Sequence, residues 1–217
     1  MALLSAYATV DEYKSRNGKI SSAQDSELDG LLTTVSRMLE RRTGMMPGAF
    51  NSHTPATYVF DGRGGRILRL RDRAGRQYFL QTITADSLKL DTDLDGSYDD
   101  YLWDLSDAWV RGLPENAAAL SEPYTALELR PVSTAPLTSW PNYPGSIQIV
   151  GTFGWAAVPG AVKERVIGIT RELIETHRAG PTLTVQEVDQ AIELNPGARS
   201  LMHMLEREYS HRLPAIA

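Results

Sequence analysis

Apolar positions along the chain follow a helical period, then a strand period, then a helical period again. Between Asp25 and Thr43, the residues Leu28, Leu31, Leu32, Val35, Met38 and Leu39 recur at helical spacing, which predicts an amphipathic helix over that stretch. Ser22 with Asp25, or Ser26 with Asp29, suits a cap at its start, and Gly44 stands where a left-handed residue closes a helix. A shorter helical turn is predicted over 10–16, stopped at Asn17-Gly18.

From Thr57 onward the pattern becomes short β-type runs. Strands are predicted at 57–60 and 66–71, and the connector Asp61-Gly62-Arg63-Gly64-Gly65 suits a hairpin between them. In Leu68-Arg69-Leu70-Arg71 the leucines fall on one face and the arginines on the other, as a half-buried strand requires. Further strands are predicted at 78–84, Ser87–Leu90, 101–105, 126–130 and 146–153, and four prolines make 131–145 an irregular loop. Helical spacing returns after Val158-Pro159, with Val162, Val166, Ile169, Leu173 and Ile174 as the buried stripe and Gly180-Pro181 as the stop. Thr184 with Glu187 forms a capping box for a short helix carrying Val185, Val188 and Ile192, which Asn195-Pro196-Gly197 ends. A last helix over 198–211 packs through Leu201, Leu205 and Met204. The expected fold class is therefore α+β, with N- and C-terminal helices forming a helical bundle (1–50 and 156–217) and a β-rich segment (55–155) inserted between them.

Composition narrows the chemistry. A chain of 217 residues is long enough to bury a real core, and the absence of cysteine excludes disulfides, thiol nucleophiles, thiolate zinc sites and iron–sulfur clusters together. No window approaches 18 consecutive apolar residues and the first 13 lack the layout of a signal peptide, so a soluble, unexported chain is expected.

The net charge of −5 is unevenly spread. Residues 61–80 carry six arginines against two acids, whereas 81–108 carry one lysine against eight aspartates. Arg63, Arg66, Arg69, Arg71, Arg73 and Arg76 could touch phosphate, since alternate strand residues place several guanidinia on one face; a solvated strand face is the plainer interpretation. A third pairs this basic stretch with the acidic one, within the chain or head to tail between identical subunits.

Catalytic and metal signatures are sparse. Gly145-Ser146-Ile147 is not a nucleophile elbow, the 61–65 glycines lack the Lys-Ser/Thr of a phosphate loop, and His53, His177, His203 and His211 include no i, i+4 pair for zinc. His177, near Gly180, suits a helix C-terminus. Asp91-Thr92-Asp93-Leu94-Asp95-Gly96-Ser97-Tyr98-Asp99 repeats the start of a calcium loop, but Leu102 occupies the twelfth position, where the bidentate Glu belongs. Two alternatives stand: a weak cation site, or an acidic hairpin whose aspartates shape turns.

Several stretches in order carry a resemblance. They are Tyr7-Ala-Thr-Val-Asp-Glu-Tyr13, Leu39-Glu40-Arg41-Arg42-Thr43-Gly44, Tyr58-Val59-Phe60-Asp61-Gly62, the Leu90 to Tyr98 run, Glu122-Pro123-Tyr124-Thr125-Ala126-Leu127-Glu128-Leu129, and Ile149-Val150-Gly151-Thr152-Phe153-Gly154-Trp155 leading to Val158-Pro159. The last is the most specific. Over about residues 5–180, the chain resembles the head-to-tail adaptor (head-completion connector) proteins of long-tailed phages, particularly those infecting actinobacteria.

That resemblance implies a structural, non-enzymatic virion protein without a cofactor, which forms a ring, usually of twelve, under the portal once DNA is packaged. It implies a place in the virion neck after assembly in the host cytoplasm, with the portal protein, a downstream neck or tail-completion protein and further copies of itself as partners. DNA would pass through the channel without sequence-specific contact, and no membrane is involved. Connectors of this type often insert a C-terminal segment into the portal, which makes Arg207, Tyr209, Arg212 and Leu213 the candidate partner-binding residues; packing of the same helix on its own helical domain is the alternative. Two other functions remain open: a small phage-encoded or bacterial enzyme using paired carboxylates, and a DNA-binding module using the 63–76 arginines.

Overall fold

The computed structural model describes residues 5–17, 21–81, 87–93, 95–98, 101–104, 109–131, 137–177 and 185–210. Backbone contacts divide the chain into two units, Met1–Phe50 with Val158–Ala217, and Asn51–Ala157.

The first unit is helical because each helix has one face to bury. Helix α1 spans Val10–Asn17 and α2 spans Asp25–Thr43. All six apolar residues of the α2 stripe are buried, and Gly44 (φ 66°) closes the helix in the left-handed conformation with its amide turned back to the Glu40 and Arg41 carbonyls. The start of α2 differs from expectation: the chain enters through a 3-10 turn at Ser22–Gln24, where Ser21 Oγ accepts from the Ala23 amide, and no side chain caps α2 itself. Ser22 thus lies in the turn and Ser26 inside the helix, so neither expected capping box forms.

Helices α3 (Gly160–His177), α4 (Val185–Leu194) and α5 (Pro196–Ser210) each pack against α2. Val162, Val166, Ile169 and Leu173 are buried on α3, and Val188 and Ile192 on α4. On α5 the buried stripe is Ala198, Met202, Leu205 and Tyr209, at steps of four, three and four; Leu201 is only half-buried and Met204 faces water. The helix also starts two residues earlier than expected, because Asn195 does more than end α4: its Oδ1 accepts from the Ala198 amide at 3.0 Å, with Pro196 in the first turn. The predicted stop at Gly180-Pro181, the cap at Thr184, and the tail beyond Ser210 lie outside the described residues.

Tyr7 is pinned to α2 by a buried polar cluster. The Tyr7 amide donates to Ser36 Oγ at 3.0 Å and its hydroxyl donates to Glu40, which also accepts from the Gly48 amide at 2.7 Å and pairs with Arg37 at 2.7 Å. A buried carboxylate is tolerated here because several donors meet it. Burial, with the Glu40 charge beside it, pushes the Tyr7 phenol far above its usual range.

The second unit holds seven strands: β1 (His53–Phe60), β2 (Ile67–Arg69), β3 (Ser87–Leu90), β4 (Tyr101–Asp104), β5 (Val110–Leu113), β6 (Ala126–Leu129) and β7 (Ile147–Phe153). A four-stranded sheet has the order β1-β7-β3-β4 and a three-stranded one the order β2-β6-β5, with every neighbouring pair antiparallel. Ile147, Ile149 and Phe153 of the inner strand β7 point into the core, and Gln148, Val150 and Thr152 between them are less buried.

This architecture corrects the expected fold class. Instead of α+β with one β-rich insert between bundled terminal helices, the protein is mixed α/β, with five α-helices and two small antiparallel sheets among the described residues. The strands are spread from His53 to Phe153, are divided between two sheets and are interrupted by a 3-10 turn at Ala118–Leu120.

The physical reason lies in the 61–65 connector, which closes no hairpin. Its backbone bonds instead to the proline-rich loop: the Gly62 amide donates to Tyr143 O at 2.9 Å, Gly64 to Pro141 O at 3.2 Å, and the Trp140 amide to Gly65 O at 2.8 Å. So β1 pairs with β7 and β2 with β6. The sequence pattern also missed β5, whose Gly112 breaks the apolar alternation; the Tyr124 ring fills the space a side chain there would need. Of the expected strand at 78–84, Leu80 makes isolated bridges to Tyr124 and Phe153, while 82–84 lie outside the described residues, as does Leu105. Among the described residues no helix is long and apolar enough to cross a membrane.

Candidate functional site

The two-sheet unit sorts the six arginines into two groups. Arg66 lies 3.5 Å from Glu128, Arg73 3.5 Å from Asp61 and Arg76 2.7 Å from Asp72, so three of them are answered by carboxylates within the fold. Arg63, Arg69 and Arg71 form no ion pair among the described residues. Leu68 and Leu70 are buried, whereas Arg69 at the end of β2 and Arg71 just beyond it are both half-buried, and the chain turns between them with the Arg71 amide donating to Arg69 O at 2.8 Å. Arg71 is held by Gln77, whose Oε1 accepts from Arg71 Nε at 3.1 Å. Gln77 is itself 1% exposed and fixed by Nε2 donating to the carbonyls of Leu70, Tyr78 and Thr125 at 2.7 to 3.1 Å. Partial burial, then the charges of Arg69 and Arg63, push the ionisation of Arg71 below its usual range.

A shallow groove beside these residues is lined by Asp61, Asp72, Arg73 and Arg76. Both of its acids are engaged by guanidinia, and Asp61 Oδ1 also accepts from the Gly145 amide at 2.7 Å. This pairing suits structural bracing rather than proton transfer.

The acidic loop brings Asp91, Asp93 and Asp95 together, with one carboxylate oxygen from each within 4.8 Å of the others. Each also accepts from an amide of the same loop: Gly96 to Asp91 at 3.1 Å, Asp95 to Asp93 at 3.2 Å and Ser97 to Asp95 at 2.6 Å. Such bonds are those by which aspartates shape turns. Leu94, Asp99 and the Leu102 side chain lie outside the described residues. Tyr98 ties the loop's far side down by donating from its hydroxyl to Gly145 O at 2.6 Å.

Of the candidate partner-binding residues, Arg207 is exposed in the last turn of α5, while Tyr209 is buried with its ring edge-on to Phe50 at 5.0 Å. Arg212 and Leu213 lie outside the described residues. His53 stands in β1, and His203 is exposed with Nδ1 2.9 Å from Glu206. His211 and the side chain of His177 also lie outside them. Ser146 is buried and donates to Tyr143 O at 2.9 Å, a turn contact.

The stretches that carry the resemblance are largely interior. Tyr7 and Tyr13, Phe60, Leu127 and Leu129, and Phe153 and Trp155 are all buried, the last beside Phe79 at 6.4 Å between ring centres. They determine packing. Sequence reasoning missed Gln77, whose only signal was a polar residue between strand-type runs. No protein-family model matches the chain, and no curated protein matches it.

Proposed function

We propose that the protein is a head-to-tail adaptor subunit of a long-tailed phage, a structural component that joins others of its kind in a ring beneath the portal. The observation that carries this is the ordered set of stretches ending in Ile149-Val150-Gly151-Thr152-Phe153-Gly154-Trp155 and Val158-Pro159. In chain order, this run is the inner strand β7, a turn at Gly154 with φ 90°, the buried Trp155, and the start of α3, where Pro159 O accepts from the Val162 and Lys163 amides. Each part of the run has a packing role, and its match in order to the adaptor pattern is what supports the reading.

The partners are the portal, a downstream neck protein and further copies of the chain, and the place of action is the virion neck. Arg207 and the tail from residue 211 onward are the segment that enters the portal. Tyr209 contributes to the helical unit's own packing, so the tail is tested by truncation after Ser210, which leaves Tyr209 in place. Loss of portal binding by the truncated chain, with its thermal unfolding unchanged, supports the role; undiminished binding removes it.

A further inference from the structure

We propose that Arg63, Arg69 and Arg71 form a site for the phosphodiester backbone of duplex DNA, with Gln77 positioning the Arg71 guanidinium. The site does not depend on the adaptor role, and its test needs only the purified chain and DNA.

Three observations carry it. First, the fold neutralises Arg66, Arg73 and Arg76 with Glu128, Asp61 and Asp72, yet leaves Arg63, Arg69 and Arg71 with no carboxylate among the described residues. Partial burial and the like charges of Arg69 and Arg63 both disfavour the Arg71 cation, which an anionic partner would relieve. Second, Arg71 is preorganised. Gln77 spends its amide group on three backbone carbonyls, so that its oxygen is aimed at Arg71 Nε and the rest of the guanidinium fork stays available. Fixing a donor before the ligand arrives lowers the ordering cost of binding. Third, the three arginines belong to one short stretch: Arg63 sits on the connector that leads into β2, Arg69 ends that strand, and the chain turns tightly at Leu70, where the Arg71 amide donates to Arg69 O at 2.8 Å.

Guanidinium forks bind phosphate oxygens through paired N–H groups. A single small anion engages one or two of these arginines, whereas a polymer with regularly repeated charge engages all three. Contacts of this kind position a backbone without reading sequence. The expected affinity is weak, because the chain as a whole carries −5 and repels DNA elsewhere.

The experiment measures binding of the full chain to a labelled short DNA duplex by fluorescence anisotropy across a salt series. Three neutralised phosphates give a slope of log K against log salt of about −3, and each arginine removed lowers its magnitude by about 0.9. Arg63→Gln is the first variant, since that side chain is exposed and makes no hydrogen bond or ion pair among the described residues; Arg69→Gln is the second. Gln77→Leu keeps every arginine but releases Arg71, and should weaken binding severalfold at unchanged or nearly unchanged slope. Arg76→Gln, whose native partner is Asp72, should leave the slope as it was. Absence of binding at low salt, or binding indifferent to Arg63 and Arg69, overturns the proposal. So does inorganic phosphate binding through the same arginines while DNA does not bind, and so does self-association of the free chain that Arg63→Gln abolishes, since the arginines would then serve a second copy.

Discussion

Asp61 Oδ1 accepts a hydrogen bond from the Gly145 amide at 2.7 Å, bridging 84 positions of sequence. The same connector bonds to Tyr143 and Pro141 through Gly62 and Gly64, so a glycine-rich stretch suited to a hairpin is stitched to a proline-rich loop instead. Gly62 has no room for a side chain, as a Cβ there would overlap the carbonyl oxygen of Pro141. Gly62→Ala should therefore destabilise the protein by about 2 kcal/mol or more, in the range of overpacking against a rigid neighbour. Gly65→Ala, with nothing within 4 Å, should stay within about 0.5 kcal/mol of the parent. Urea unfolding of the two variants checks the contrast.

Tyr7 and Glu40 set an alkaline limit on stability. Burial raises the Tyr7 phenol, and also those of Tyr13, Tyr58, Tyr78 and Tyr98, above the usual 10.0. Above that pH the unfolded chain releases phenol protons that the folded chain keeps, so the tyrosines' contribution to stability is constant below it and falls as pH rises beyond it. Tyr7→Phe should cost about 1 kcal/mol at neutral pH, since Glu40 keeps Arg37 and the Gly48 amide. It should also flatten the alkaline decline. Denaturation midpoints from neutral pH to beyond about pH 10 read both effects.

Asn195 joins two helices by using both ends of one amide. Its Oδ1 caps α5 through the Ala198 amide, and its Nδ2 donates to Glu172 O at 3.1 Å. Asn195→Ala should cost about 1 to 2 kcal/mol, whereas Asn195→Ser, which keeps a capping oxygen but not the donor to Glu172, should cost less. Thermal melts of the pair separate the two contributions.

Asp91 differs from Asp93 and Asp95 in the acidic loop in being buried, at 6% exposure, so the bond it accepts from the Gly96 amide is shielded from water. Asp91→Ala should destabilise by about 1 kcal/mol. Asp93→Asn and Asp95→Asn retain an oxygen for the Asp95 and Ser97 amides and relieve mutual repulsion, so they should be neutral within about 0.5 kcal/mol. Differential scanning calorimetry distinguishes these outcomes.

The sequence exposed what depends on neighbours close along the chain. The α2 stripe from Leu28 to Leu39 and the glycine at 44 define that helix without reference to anything distant. Sheet membership was hidden, because the partners of β1 and β2 lie far along the chain in β7 and β6, and nothing local in Asp61-Gly62-Arg63-Gly64-Gly65 reveals the proline-rich loop that takes up its hydrogen bonds. β5 was concealed by Gly112, a residue that reads as a breaker but makes room for Tyr124. The arginine cluster was legible as a cluster. Its division into compensated and uncompensated members was not, since Glu128 reaches Arg66 only after β2 and β6 have paired. Tyr209 likewise looked available in an amphipathic tail until its packing on Phe50 fixed it inside.

The adaptor role is tested most directly by co-sedimenting the purified chain with the portal ring from the same genome and imaging the complex along its symmetry axis. The expected result is a ring of added density at the narrow end of the portal. Failure of the chain to bind an intact portal ring would contradict it.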